Sequence, residues 1–330
     1  MTSPIFETRS TPTSWEDGLV VGSGRVGVVV HEERGRHVLS IAHERFFVPL
    51  HPRPAAPDLR PVLADIRRAV TAGHPRRAGE LLTGRTRACG YPDGLVWTDP
   101  LGICASLVVT PRRGTGTLRR EIDLTHGEVT VHWQDDDGGH CSLRVITPRD
   151  QESVCVAVES EHELTLPLEM SLGGSRDTVL DTGGGDGSAA VQVTVVGGRC
   201  GRLTATTNQV TAVVTARVPA PWHPDGASLT SRLVVPAGGR STFRIDVQTV
   251  AGVDAAAPGP EHPDTVSWAD VRARQASTHG RLVETSVLDL DGGDVEGTTE
   301  HLWAAARRGD PPGRPTTRGT GTCRTEPWPD

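Results

Sequence analysis

Trp15-Glu-Asp-Gly-Leu-Val-Val-Gly-Ser-Gly-Arg-Val-Gly-Val-Val-Val30 contains, at Gly22-Ser-Gly24-Arg-Val-Gly27, a full match to the dinucleotide fingerprint GxGxxG. That fingerprint holds a pyrophosphate only where a strand enters the glycines and a helix leaves them, because the anion rests on the helix N-terminus. Here the exit is Val26-Gly-Val-Val-Val30, then a polar turn around Gly35, then His37-Val-Leu-Ser-Ile-Ala42. β-Branched runs joined by a turn predict a hairpin. The glycines therefore bend a sheet, and no cofactor is expected.

The rest of the composition fits strands. The chain has 330 residues, room for one large domain or two. Gly at 38 and Pro at 25, with one Tyr and four Phe, describe many turns and a core of Val, Leu, Ile and Ala. A net charge of −7 argues against a nucleic-acid or membrane-surface partner. Every basic side chain is Arg. The N-terminus lacks a charged head followed by an apolar run, and no run is long enough to cross a bilayer, so a cytoplasmic location is expected. Six scattered cysteines without CxxC spacing predict free thiols and no metal site.

Along the chain, Asp58 is placed to cap a helix carrying Leu59, Leu63, Ile66 and Val70, which Gly73 ends. Pro75 opens a second helix through Leu82, giving a helical hairpin over about 58–83. Strands are expected at 118–124, 127–133, 141–145, 153–158, 164–172, 190–196, 209–218, 229–235 and 241–250. Gly183–Gly187 reads as a flexible loop. An Ala/Pro/Gly linker over 252–263 precedes a helix from Trp268 to about Glu284, a short strand at 287–290 and a helix at 298–306. The fold class is mainly β: a large antiparallel β-sandwich with the inserted hairpin and C-terminal linker helices. Its expected divisions are a sandwich over 1–251, a linker and start of a helical region over 252–308, and a tail over 309–330, disordered by composition. A frameshift or early stop near 310 would produce such a tail.

Trp15 followed by Leu19-Val-Val-Gly22-Ser-Gly24-Arg25-Val-Gly27 resembles the opening of glycoside hydrolase family 95, mainly α-L-fucosidases. There a Trp precedes a proline-leucine-glycine-asparagine-glycine-arginine-leucine-glycine stretch and a strand. The resemblance spans roughly residues 10 to 305. His43-Glu44-Arg45 stands where the family carries an asparagine-glutamate-aspartate type stretch, and Leu95–Ile103 and Arg119–Leu124 follow in the family's order. It implies α-L-fucosides as substrate, hydrolysed by inversion, with a carboxylic acid and a base about 6.5–9.5 Å apart. In the family, the acid is a Glu and an Asn–Asp pair supplies the base function. These lie on a helical barrel downstream of the sandwich. No residue here matches them, so none is assigned a catalytic role and the chain alone is expected to be inactive, with a helical barrel as its implied partner.

Two groups could touch a sugar from the sandwich. His43, Glu44 and Arg45 could reach it from a strand end, or form a surface ion cluster there. Trp97 with Asp99 could be a stacking platform, or a half-buried core Trp beside a turn. Asp135-Asp-Asp-Gly-Gly139 lacks the spaced acceptors of a calcium loop and reads as a hairpin turn. The rivals to a hydrolase fragment are a non-catalytic carbohydrate-binding sandwich, which binding lost on Trp97→Ala would reveal, and a degraded gene product.

Overall fold

The computed structural model describes residues 5–9, 14–47, 57–90, 101–111, 119–172, 190–207, 209–251 and 267–285. By its contacts the chain divides into Met1–Val283 and Glu284–Asp330, and the second unit lies almost wholly outside the described residues. The 287–290 strand, the 298–306 helix, the 309–330 tail, the 252–263 linker, the Gly183–Gly187 loop and Trp97 with Asp99 also lie outside them.

Sixteen strands and three α-helices are described. In chain order they are β1 (Ile5–Thr8), β2 (Leu19–Gly22), β3 (Val26–Glu33), β4 (Arg36–Phe47), α1 (Arg60–Thr71), α2 (Pro75–Ala88), β5 (Leu101–Val109), β6 (Arg119–Asp123), β7 (Glu128–Gln134), β8 (His140–Ile146), β9 (Ser153–Ser160), β10 (Leu164–Ser171), β11 (Ala190–Val196), β12 (Cys200–Thr206), β13 (Val210–Arg217), β14 (His223–Asp225), β15 (Ser228–Val235), β16 (Gly239–Ala251) and α3 (Trp268–Thr285). They form a nine-stranded sheet, β1-β6-β7-β8-β9-β16-β13-β12-β11, and a seven-stranded one, β14-β15-β10-β5-β4-β3-β2. The pairings are antiparallel throughout, for example β2 with β3, β9 with β16 and β10 with β15.

The glycine stretch is the expected hairpin. Leu19 pairs with Val30 and Gly22 with Gly27. At its tip the Ser23 Oγ accepts the Val26 N–H at 3.1 Å and the Ser23 N–H donates to the Val26 carbonyl at 2.9 Å. Gly24 sits at φ +94°, a conformation that side chains resist. No helix follows, so there is nothing for a phosphate to rest on.

Alternation in the strands builds the core. Leu39, Ile41, Leu107, Leu143, Val156, Leu166, Leu168, Leu203, Val214 and Phe243 face inward from the two sheets and are fully buried. His37 has the same parity as Leu39 and Ile41, and its ring lies 4.8 Å from that of Trp133 on the facing sheet.

The helical hairpin forms where expected, though the N-cap of α1 is Leu59 and not Asp58, and α2 runs to Ala88, five residues past the expected end. The Asp58 Oδ1 accepts the Arg60 N–H at 3.1 Å, Gly73 at φ +73° closes α1, and the Arg85 Nε donates to the Asp58 carbonyl at 2.8 Å. Its apolar stripe is only partly covered: Leu63 and Val70 are exposed, while Ala69 and Ala78 are the buried residues. Three strands were not expected. β1 and β14 are short, and β12 alternates small residues around a single Leu203.

The hairpin-tip end as candidate functional site

His43 shares the inward parity of His37 and Ile41, so it points between the sheets and is buried. Its Nδ1 accepts the Arg45 N–H at 3.2 Å and lies 3.3 Å from the Thr249 Oγ1 on the facing sheet. The neutral ring therefore carries its proton on Nε2, which lies 3.7 Å from the Glu152 Oε2. Burial pushes the His43 pKa down, against the opposing pull of Glu152 and Glu44. The other Glu152 oxygen accepts the Arg25 Nη1 at 2.9 Å. Arg25, Glu152, His43 and Thr249 thus tie the hairpin tip to both sheets.

Glu44 and Arg45 follow on the same strand but are exposed, with Arg45 Nε 3.9 Å from Glu44 Oε1. An open pair at that distance contributes about 1 kcal/mol at most. The structure thus brings together three of the five residues singled out in the sequence, one inward and two outward.

The helix α3 closes the same end from outside. Trp268 and Val271 bury themselves against Ile146, Cys155 and Ala157 on the outer face of the nine-stranded sheet. One turn on, the Arg272 Nε donates to the Glu128 Oε2 at 2.7 Å, and its Nη2 to the Asp123 Oδ2 at 3.3 Å. Arg144 supplies a second cation to the buried Glu128, at 3.2 Å. The Gln275 Oε1 accepts the Arg149 N–H at 3.3 Å, and the Arg149 Nε donates to the His279 Nδ1 at 3.0 Å. Burial and then the Arg149 charge lower the His279 pKa. Arg149 also donates to the Ser23 carbonyl at 3.4 Å, which joins α3 to the hairpin tip. Gly127 permits this approach: at φ +54°, a Cβ there would lie 3.2 Å from the His279 Nε2. Sequence reasoning passed over Asp123, Glu128, Arg149 and Arg272. No local signal marks them, since Glu128 shares its strand face with Thr130 and His132 and Asp123 ends the polar strand Arg119–Asp123.

The arrangement fixes parts in place. At the tip the exposed Arg25 pairs with Glu152, and the buried His43 Nε2 lies 3.7 Å from the other Glu152 oxygen, beyond hydrogen-bond reach. Among the described residues no group of three metal-ligating side chains is found. The five described cysteines are free. Burial pushes the Cys104 thiol up to about 12 and the Cys155 thiol up to about 11, so neither is a thiolate at neutral pH.

Residues 8–250, the whole of both sheets apart from the first strand's start and the last strand's end, match the sequence model of the glycosyl hydrolase family 65 N-terminal domain. The chain belongs to this family. The match bears out a glycoside hydrolase N-terminal domain, but to family 65 and not to the family 95 that the opening stretch resembles. As a family 65 N-terminal domain, the chain also shares its fold with a solved structure described as "Putative kojibiose phosphorylase from human microbiome". The TM-score is 0.50 at 10% identity, over 85% of this chain and 38% of that one. The chain thus spans well under half of that structure's length, and identity this low speaks for the fold alone. No curated protein matches the chain.

Proposed function

We propose that this chain is the non-catalytic sandwich of a glycoside-processing enzyme, and that its hairpin-tip end supports a helical catalytic barrel. The observation that carries this reading is the clamp on α3. A helix that follows the sandwich is held by Trp268, Arg272, Gln275 and His279, and through Arg149 it is joined to the Ser23 carbonyl at the tip. Such a clamp fixes the direction in which the chain leaves the sheets. Membership of a glycosyl hydrolase N-terminal family supports the sugar chemistry.

The proposed substrates are α-L-fucosides, hydrolysed by inversion. Support comes from the Trp15 to Gly27 stretch, which is similar to the opening of family 95. A second reading is phosphorolysis of an α-glucoside, favoured by the family 65 match and by the name of the solved relative. In either case the barrel supplies the general acid, and of the strand-end residues the exposed Glu44 and Arg45, not the buried His43, are the ones that would contact it.

Co-expression with the polypeptide encoded beyond residue 330, in this reading frame or the next, tests the proposal. The pair is expected to release fucose from an aryl α-L-fucoside, with the first-formed anomer inverted by NMR. Phosphate-dependent cleavage of an α-glucoside would replace the fucoside reading with the second one. Unrelated downstream sequence and an inert pair would remove both.

A further inference from the structure

A cleft of about 700 Å³ opens on the outer face of the seven-stranded sheet, away from the hairpin tip. Register dictates its floor. Glu169 pairs with Thr230, and Thr230 in turn with His223, so three outward side chains stand in one row across β10, β15 and β14. Two residues along, Pro167 pairs with Arg232 on the same face. With strands spaced about 4.8 Å apart, the row spans about 10 Å, wider than a single hexose ring.

The wall is built in advance. Trp222 is buried, with its Nε1 donating to the Ala216 carbonyl at 3.1 Å and its backbone N–H to the Gly198 carbonyl at 2.8 Å. Beside it the Ser231 Oγ donates to the Pro221 carbonyl at 2.8 Å. These bonds hold Ala220 and Pro221 at the rim without help from a ligand, so little ordering cost falls on binding. Among the described residues Glu169, His223 and Arg232 have no ion-pair partner.

The polar set selects the ligand. Glu169 only accepts, Arg232 only donates, His223 can do both, and Thr230, whose Oγ1 donates to the His223 carbonyl at 3.4 Å, is left to accept. Hydroxyl groups, which donate and accept, satisfy all four. An anion meets Glu169 and a cation meets Arg232, so neither suits the row. Pro167, Ala220 and Pro221 supply apolar surface for the C–H face of a ring. We propose that the cleft on β10, β14 and β15 binds an uncharged oligosaccharide and holds a glycan at a distance from the hairpin-tip end. The inference rests on the sugar-processing reading only for its choice of probes.

NMR titration of the ¹⁵N-labelled full chain with 2′-fucosyllactose, maltotriose and the anionic 6′-sialyllactose tests it. At least one neutral trisaccharide is expected to give saturable shifts at 165–169 and 221–232, and the anionic one none there. The double variant Glu169→Ala, Arg232→Ala changes two outward side chains. It is expected to keep the wild-type spectrum elsewhere and weaken binding about tenfold or more. Maltotriose binding without fucosyllactose binding would support the cleft and count against the fucoside reading. No saturable shift at the cleft with either neutral sugar, or undiminished binding by the double variant, would overturn the proposal and leave the fucoside reading standing.

Discussion

His37 carries the sharpest consequence at the scale of one residue. It lies between the sheets against Trp133, its Nε2 has no hydrogen-bond partner, and burial lowers its pKa to about 4. Above pH 6.5 the ring is neutral in both folded and unfolded chains and contributes nothing to the pH dependence. Below it, the unfolded chain takes up a proton that the folded one refuses until about pH 4, so stability falls as pH drops through that window. From pH 7 to pH 5 the loss from this ring is about 2 kcal/mol. Burial lowers His31, His43, His132 and His279 in the same direction. Urea denaturation at the two pH values should show the loss, and His37→Phe, which keeps a ring on Trp133, should shrink it. An unchanged slope in that variant would assign the effect to the other histidines. The inward parity of His37 was legible from Leu39 and Ile41, but the facing tryptophan was not, since it comes from a strand nearly a hundred residues later. A companion test concerns thiols: Cys104, Cys141 and Cys155 are buried and Cys89 and Cys200 partly exposed. A thiol reagent should modify the latter two in the native chain and reach the buried three only on unfolding.

At the scale of elements, the hairpin and α3 make separate predictions. Gly24 at φ +94° means that Gly24→Ala strains the turn and should cost about 1 kcal/mol in thermal or chemical unfolding. A neutral result would mean the tip relaxes into another turn. For α3, Trp268→Ala removes the main apolar anchor and should cost about 3 kcal/mol of local stability. Arg272→Ala leaves Glu128 with Arg144 alone and should cost about 1–2 kcal/mol. Hydrogen exchange over 268–281 should rise in both variants while β9 and β16 keep their protection. Protection of α3 unchanged in both would mean that the clamp does not hold it. The helix itself was legible from the capping Ser267 ahead of it, the helical hairpin from its spacing and most strands from alternation. Its docking face was not, because Asp123 and Glu128 lie about 150 residues upstream and look, in sequence, like ordinary outward positions of a strand. The strand β12 escaped for another reason, since Gly201, Thr204 and Ala205 give a period-2 pattern with little apolar contrast.

For the whole molecule, alternation and turn residues identified a sandwich, but the order of strands within each sheet depends on pairings distant in sequence. The seating of β16 between β9 and β13 is one such case. The opening motif carried information beyond its generic pattern: the same glycines that mimic a nucleotide loop led to the sugar enzymes, and the family match confirms that broad class. His43, Glu44 and Arg45 were placed at one end by their position on a strand, while the neighbours of the His43 ring, Glu152 and Thr249, became visible only in three dimensions. The reading of the molecule as a support that needs a separate catalytic region is tested most directly by the purified chain and 4-nitrophenyl α-L-fucoside. Nitrophenol release should stay at the buffer rate at every protein concentration. Release that rises in proportion to the chain, and is lost in a Glu44→Gln variant, would place the chemistry in the sandwich itself and contradict it.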